Sequence, residues 1–214
     1  MIRLDGHAPA PGRKLRWIVG FAAVVLLSPG CTRKKSDDFA GIPRMDFHVQ
    51  ESLLGSPVTD SSLRLRFRPP AFCVAADPAR VEEVRRDSRT QQRPDDPLAF
   101  EPALIFGKPN SSLLCVVSRF LRPPKHGMDR AFAELCRTQA VSLAPGAEVK
   151  ADFFRIGDTP VLQLVLPLPQ IIQIRLVCRG PDGVPVRVDY VVPRAEYQTA
   201  MDGVESSIGS IAFF

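Results

Sequence analysis

The chain has 214 residues, 45% of them apolar and 24% charged, with a formal net charge of +5 at pH 7. That length can bury one sizeable core, so one globular domain is expected. The 21 prolines and 14 glycines are scattered without a period, which excludes collagen-like and low-complexity architectures.

The N-terminus carries an export signal. Arg13, Lys14 and Arg16 precede an uninterrupted apolar run from Trp17 to Leu27, and Ser28, Pro29, Gly30 and Cys31 follow it. Basic, apolar and small residues in that order are the three parts of a secretory signal. Eleven residues make a helix of about 16 Å, against a bilayer core of about 30 Å, so the run is too short to span. Leu27-Ser28-Pro29-Gly30-Cys31 resembles the lipobox of bacterial lipoproteins, with Ser28 where that family usually carries leucine. The resemblance implies cleavage before Cys31, lipidation of Cys31, and attachment to a membrane of the bacterial cell envelope with the domain facing the periplasm or the cell exterior. It divides the chain into a signal peptide at 1–30, a lipidated cysteine with a flexible polar tether at 31–43, and a globular domain at 44–214. Arg33, Lys34 and Lys35 in the tether could also attract anionic headgroups.

Removing the signal takes four basic side chains and one acidic one, leaving 24 against 22. The remaining charges are interleaved, so the basic patch that a nucleic-acid partner needs is missing.

In chain order, Leu63, Leu65 and Phe67 alternate with Arg64, Arg66 and Arg68, which predicts a half-buried strand stopped by Pro69 and Pro70. Asp77-Pro78 starts a charged helix to about Arg89, with Val81 and Val84 as a narrow apolar stripe. Residues 91–97 form a loop. Strands at 103–106 and 113–120 flank Gly107-Lys108-Pro109-Asn110, a hairpin turn by composition. Phe132, Leu135, Cys136 and Leu143 mark an amphipathic helix. Strands at 149–156 and 161–166 flank Gly157-Asp158. Ile172, Ile174, Leu176 and Cys178 share one strand face, and across the turn at 179–183 the partner strand presents Val184, Val186, Val188, Tyr190 and Val192. Pro193 then opens a helix in which Tyr197, Met201, Val204, Ile208 and Ile211 face the hairpin. The expected fold class is α+β: a single, mainly antiparallel sheet with helices packed on one or both faces.

The long hairpin, the helix carrying Tyr197 and the ending Glu205-Ser206-Ser207-Ile208-Gly209-Ser210-Ile211 resemble the end of PsbP-like α/β/α sandwich domains, over about residues 63 to 214. That resemblance implies an accessory or partner-binding protein and carries no functional residue onto this chain.

Chemistry-bearing residues are few. After the signal only His48 and His126 remain, both in linker or loop and neither beside a nucleophile motif. The chain has no G-x-S-x-G, H-E-x-x-H, P-loop or dinucleotide fingerprint, and no cofactor site follows from the sequence. Cys73, Cys115, Cys136 and Cys178 form no C-x-x-C pair, and an exported location permits two disulfides with three pairings. Cys136 and Cys178 fall on apolar faces, where a free thiol packs as a small hydrophobe. Asp37-Asp38 and Asp95-Asp96 lack the spacing of a cation loop. The expectation is a lipid-anchored protein with a non-catalytic binding or accessory domain and a protein partner. The alternatives are a carrier or sensor of a small apolar ligand, and an enzyme without a known motif.

Overall fold

In a computed structural model, the structure describes residues 38–214 apart from Pro94 and His126. The strands are β1 Val58–Asp60, β2 Leu65–Phe67, β3 Val74–Ala75, β4 Phe100–Gly107, β5 Leu114–Phe120, β6 Lys150–Ile156, β7 Thr159–Pro167, β8 Ile171–Arg179, β9 Pro185–Pro193 and β10 Ala212–Phe213. The helices are α1 Pro78–Gln91, α2 Arg130–Leu143 and α3 Tyr197–Gly209. Seven strands form one sheet in the order β3-β4-β5-β9-β8-β7-β6, and every pairing in it is antiparallel. This is the expected α+β class with helices on both faces. A small sheet of order β1-β2-β10 is added to it, because the last residues turn back as a strand onto β2 instead of ending with the helix.

Local chemistry accounts for most boundaries. The Asp77 side chain accepts from the backbone N–H of Arg80 at 2.9 Å, so the acid caps α1, with Pro78 in its first turn. Asp129 caps α2 in the same way through the Phe132 N–H. Gly157, at φ +57°, opens the two-residue loop between β6 and β7, a backbone shape that a Cβ would oppose. In the central hairpin, Ile172 lies opposite Val192, Ile174 opposite Tyr190, Leu176 opposite Val188 and Cys178 opposite Val186. The two alternating apolar runs therefore meet in register, except that Val184 lies before β9 and is about half exposed, and α3 covers them with Ala200, Val204 and Ile208. Leu63 and Leu65 are buried as expected, but Arg64, at φ +51°, is a turn residue, so β2 starts at Leu65, two residues later than the alternation suggests.

Two further readings need correction. In α2 the buried residues are Phe132, Ala133, Cys136 and Ala140, while Leu135 and Leu143 are about half exposed. The small alanines, not the leucines, form the face that approaches the sheet. The packed domain also starts before residue 44. Phe39 is buried beneath α2, Arg130 Nε donates to the Asp38 carbonyl at 2.8 Å, and Arg44 bridges Arg155 in parallel fashion. Residues 38–45 thus lie along β6 and cover an edge that would otherwise present unpaired backbone groups. The expected signal peptide at 1–30 and residues 31–37 of the expected tether lie outside the described residues.

At its C-terminal end α3 meets the chain preceding β1. A Cβ on Gly209 would stand 2.5 Å from Phe47 Cβ and 2.8 Å from Val49 Cγ2. Gly209→Ala is therefore expected to lower stability by about 1–3 kcal/mol through overpacking, read as a reduced thermal midpoint. An unchanged midpoint would mean that the two segments do not meet this closely.

Candidate functional site

The face of the sheet opposite α3 carries an uneven cover. Here α2 packs over Leu162, Leu164, Leu166 and Val177. On the other side α1 runs along β4, with Arg85 Nε donating to the Pro102 carbonyl at 3.0 Å and Ser88 to that of Phe100. The strands between these helices are β5, β9 and β8. Their register sets three rows of neighbours on this face: Leu114, Val191 and Gln173; then Val116, Asp189 and Arg175; then Ser118, Arg187 and Val177. The middle of an otherwise apolar face is therefore polar.

Three charged side chains in these rows are buried: Arg175, Arg187 and Asp189 are 4%, 5% and 4% exposed. Asp189 Oδ1 accepts from Arg175 Nε at 2.9 Å and from Gln173 Nε2 at 2.8 Å, and its Oδ2 accepts from Arg187 Nε. The Arg187 guanidinium lies 3.7 Å from the centre of the Phe100 ring, stacked on its face. Ser118, in the row of Arg187, is fully buried, and its Oγ has no hydrogen-bond partner among the described residues.

The charge states follow from this geometry. Burial pushes the Asp189 carboxyl up, but the charges of Arg187 and Arg175 outweigh it and hold the group below its ordinary value. Burial lowers Arg187, Asp189 offsets this in part, and the like charge of Arg175 lowers it further. Cys136 of α2 lies close enough to feel both guanidiniums, yet burial dominates and pushes its thiol up to about 11. Asp189 is thus an anion with both oxygens engaged, the arginines are cations, and Cys136 is a neutral thiol. Such a set can hold an anion. It lacks a group that exchanges a proton readily near neutral pH.

The other cysteines are also thiols. Burial raises Cys73 and Cys178 to about 12 and Cys115 well above its usual value. All four described cysteines are free and buried, so neither disulfide that an exported location permits is formed.

Beside the polar strip, under α1, runs an open groove of about 400 Å³ whose lining includes Val74, Val84, Ile105, Leu114 and Val116. Leu114 is 37% exposed although it lies on an inner strand, and Val116 and Val191 are half-buried. At the far end of α1, Glu101 is buried among Arg85, Arg89 and Arg119. Burial raises its pKa, while the hydrogen bonds and charges of Arg119 and Arg89 bring it below the ordinary value.

The residues singled out from the sequence are not gathered here. His48 is exposed on the segment before β1, Asp96 accepts from the Leu98 N–H in a local turn, and Cys31 and His126 lie outside the described residues. Among the described residues no three His, Cys, Asp or Glu side chains converge, and no helix is long and apolar enough to cross a membrane. Sequence reasoning missed Arg175, Arg187, Asp189 and Ser118. Part of the signal was present for one pair, since a register fixed by the turn at 179–183 already sets Arg175 opposite Asp189, but nothing in the spacing told that this face is buried.

No protein-family model matches the chain, and no curated protein matches it. Among solved structures it is similar to the solution structure of cyanobacterial PsbP (CyanoP) from Synechocystis sp. PCC 6803, at 11% identity and a TM-score of 0.48, over 78% of this chain and 96% of that one. That likeness assigns no residue a role.

Proposed function

We propose that the protein is a lipid-anchored component of a bacterial cell envelope, held through Cys31, whose domain works as a non-catalytic binding or accessory module. The anchoring half of this reading is supported by the signal grammar from Arg13 to Cys31. The binding half is carried by one observation: inner strands of the large sheet remain half covered between α1 and α2, around Leu114, Val116 and Val191. An inner strand is ordinarily the most deeply covered part of a sheet, so an open stretch there marks a surface for another molecule. The fixed charge states of Asp189, Arg175 and Arg187 favour recognition over proton transfer.

A second reading, a carrier or sensor of a small apolar ligand, is favoured by the groove under α1. Its volume of about 400 Å³ and its aliphatic lining suit a small molecule.

Both halves are testable in cells. Cys31→Ser is expected to abolish fatty-acid labelling and to leave the precursor uncut, or to release a soluble domain if another peptidase acts. Each buried CH₂ adds about 0.8 kcal/mol to attachment, so losing the chains removes firm anchoring. If the parent is never labelled and the variant is processed like it, the anchor reading is wrong. A photo-crosslinker at Leu114 is expected to capture a bound molecule in intact cells, whereas one at the exposed Asp158 is not. Equal yields at the two positions would remove the binding-face reading.

A further inference from the structure

We propose that Arg175, Arg187 and Ser118 form the head-group site for a monocarboxylate whose apolar body lies along Val116 and Leu114. This rests on the reading of the half-covered face as the binding face, and it names the chemistry recognised there.

The first ground is charge. Two buried guanidiniums share one carboxylate, so the group carries one positive charge in excess in a place where an uncompensated ion is costly. The neighbours from the surrounding elements do not cancel it. Cys136 of α2 is a neutral thiol, Gln173 of β8 and Ser118 of β5 are uncharged, and Phe100 of β4 offers a ring face. One added negative charge balances the group. A dianion would leave an excess of the opposite sign beside Asp189.

The second ground is donors. Among the described residues each of the two guanidiniums makes a hydrogen bond only through Nε, to Asp189, so the Nη groups have no protein acceptor and, not being fully buried, stay open to one brought by a ligand. Ser118 Oγ, fully buried on the neighbouring strand, is also unpartnered. An unmet hydroxyl at this depth is expensive, and a carboxylate with two oxygens is the acceptor that planar guanidiniums fit best.

The third ground is rigidity. Asp189 grips both Nε atoms and Phe100 covers one face of Arg187, so the guanidiniums are oriented before any ligand arrives. Preorganised donors lose little freedom on binding. Val116 sits directly opposite Asp189 in the register and lines the groove under α1, which gives an attached apolar chain a path away from the charges.

The test is calorimetric titration of the purified full chain at pH 7 and constant ionic strength with octanoate, octan-1-ol and acetate. Octanoate is expected to bind about tenfold or more tightly than octanol, as a charge-assisted pair requires, and more tightly than acetate. Arg187→Gln should weaken octanoate binding by about as much. Because that variant disturbs the Asp189 group and could fail to fold, Ser118→Ala serves beside it: it removes only the unpartnered hydroxyl and should weaken octanoate binding while leaving circular dichroism unchanged. Guanidinium Nη resonances of Arg175 and Arg187 should shift with octanoate and not with octanol. If octanol binds as tightly as octanoate, or if the folded variants bind octanoate like the parent, the carboxylate site is wrong and the binding face stands. If neither eight-carbon probe binds, the proposal falls, and crosslinking from Leu114 alone decides whether the face reading falls with it.

Discussion

Deleting residues 194–214 is expected to abolish folding. The deleted segment contributes Ala200, Val204, Ile208 and Ile211 to the core, and their loss uncovers Val186, Val188, Tyr190 and Val192 of β9. Fully burying one such aliphatic side chain contributes about 1.5–3 kcal/mol, so several together exceed the 5–15 kcal/mol by which a domain is ordinarily stable. Polar groups fail at the same time. The Tyr190 hydroxyl pairs with Ser207 Oγ at 2.8 Å, Ser207 Oγ donates to the Arg68 carbonyl at 2.7 Å, and Ser206 Oγ accepts from the Gln50 N–H. Truncation would leave the phenol buried beside Cys115 without its partner. It would also remove β10, and with it one side of β2. Circular dichroism and thermal unfolding of the truncated chain give the readout. A midpoint equal to that of the intact domain would mean that α3 is an ornament on a sheet that folds alone.

The parts of this fold legible in the sequence are those in which one physical signal acts alone. The hairpin of β8 and β9 shows two alternating runs about a glycine-containing turn, and Asp77-Pro78 states a helix start in two residues. The face of α2 was not legible, because hydrophobicity pointed to Leu135 and Leu143, whereas close approach to the sheet selects Ala133 and Ala140. The added strand β10 was hidden because two residues, Ala212 and Phe213, carry no periodicity, and their pairing with β2 is a tertiary event. The polar strip was hidden for a different reason. Arg175, Arg187 and Asp189 alternate with apolar residues, and alternation is the pattern of a strand with one wet face. Only the position of α1 and α2 turns that face inward, and sequence spacing does not report where helices dock. Ser118 gave no signal at all, since its meaning lies in a hydrogen bond it does not make.

Asp189→Asn is expected to destabilise the domain by about 3–5 kcal/mol, the cost of leaving buried partners of an ion pair uncompensated. The amide has nearly the same shape, so packing is preserved and the effect is electrostatic: two buried guanidiniums would face a neutral group. The pH dependence separates this from a loss of fit. Arg187 and Arg175 hold the folded pKa of Asp189 below its ordinary value against the upward push of burial, whereas in the unfolded chain the group titrates near 3.9. A depressed folded value means that the contribution is fully present above about pH 4 and is lost as the pH falls through the folded value. The denaturant midpoint of the parent should therefore drop more steeply between pH 5 and pH 2.5 than that of Asp189→Asn, which has no proton to take up there. Glu101 and Asp60, whose pKa values are also lowered, titrate in both proteins and cancel in the comparison. Parallel curves would show that Asp189 is not the ionised centre of the group. Replacing all three charges together, as Arg175→Met, Arg187→Met and Asp189→Leu, should by contrast cost little or even stabilise, because apolar side chains of similar volume avoid the desolvation that the ions suffer. A domain that folds as well without the three charges does not keep them for stability, and the surplus positive charge facing the half-covered strands is then explained by what it holds.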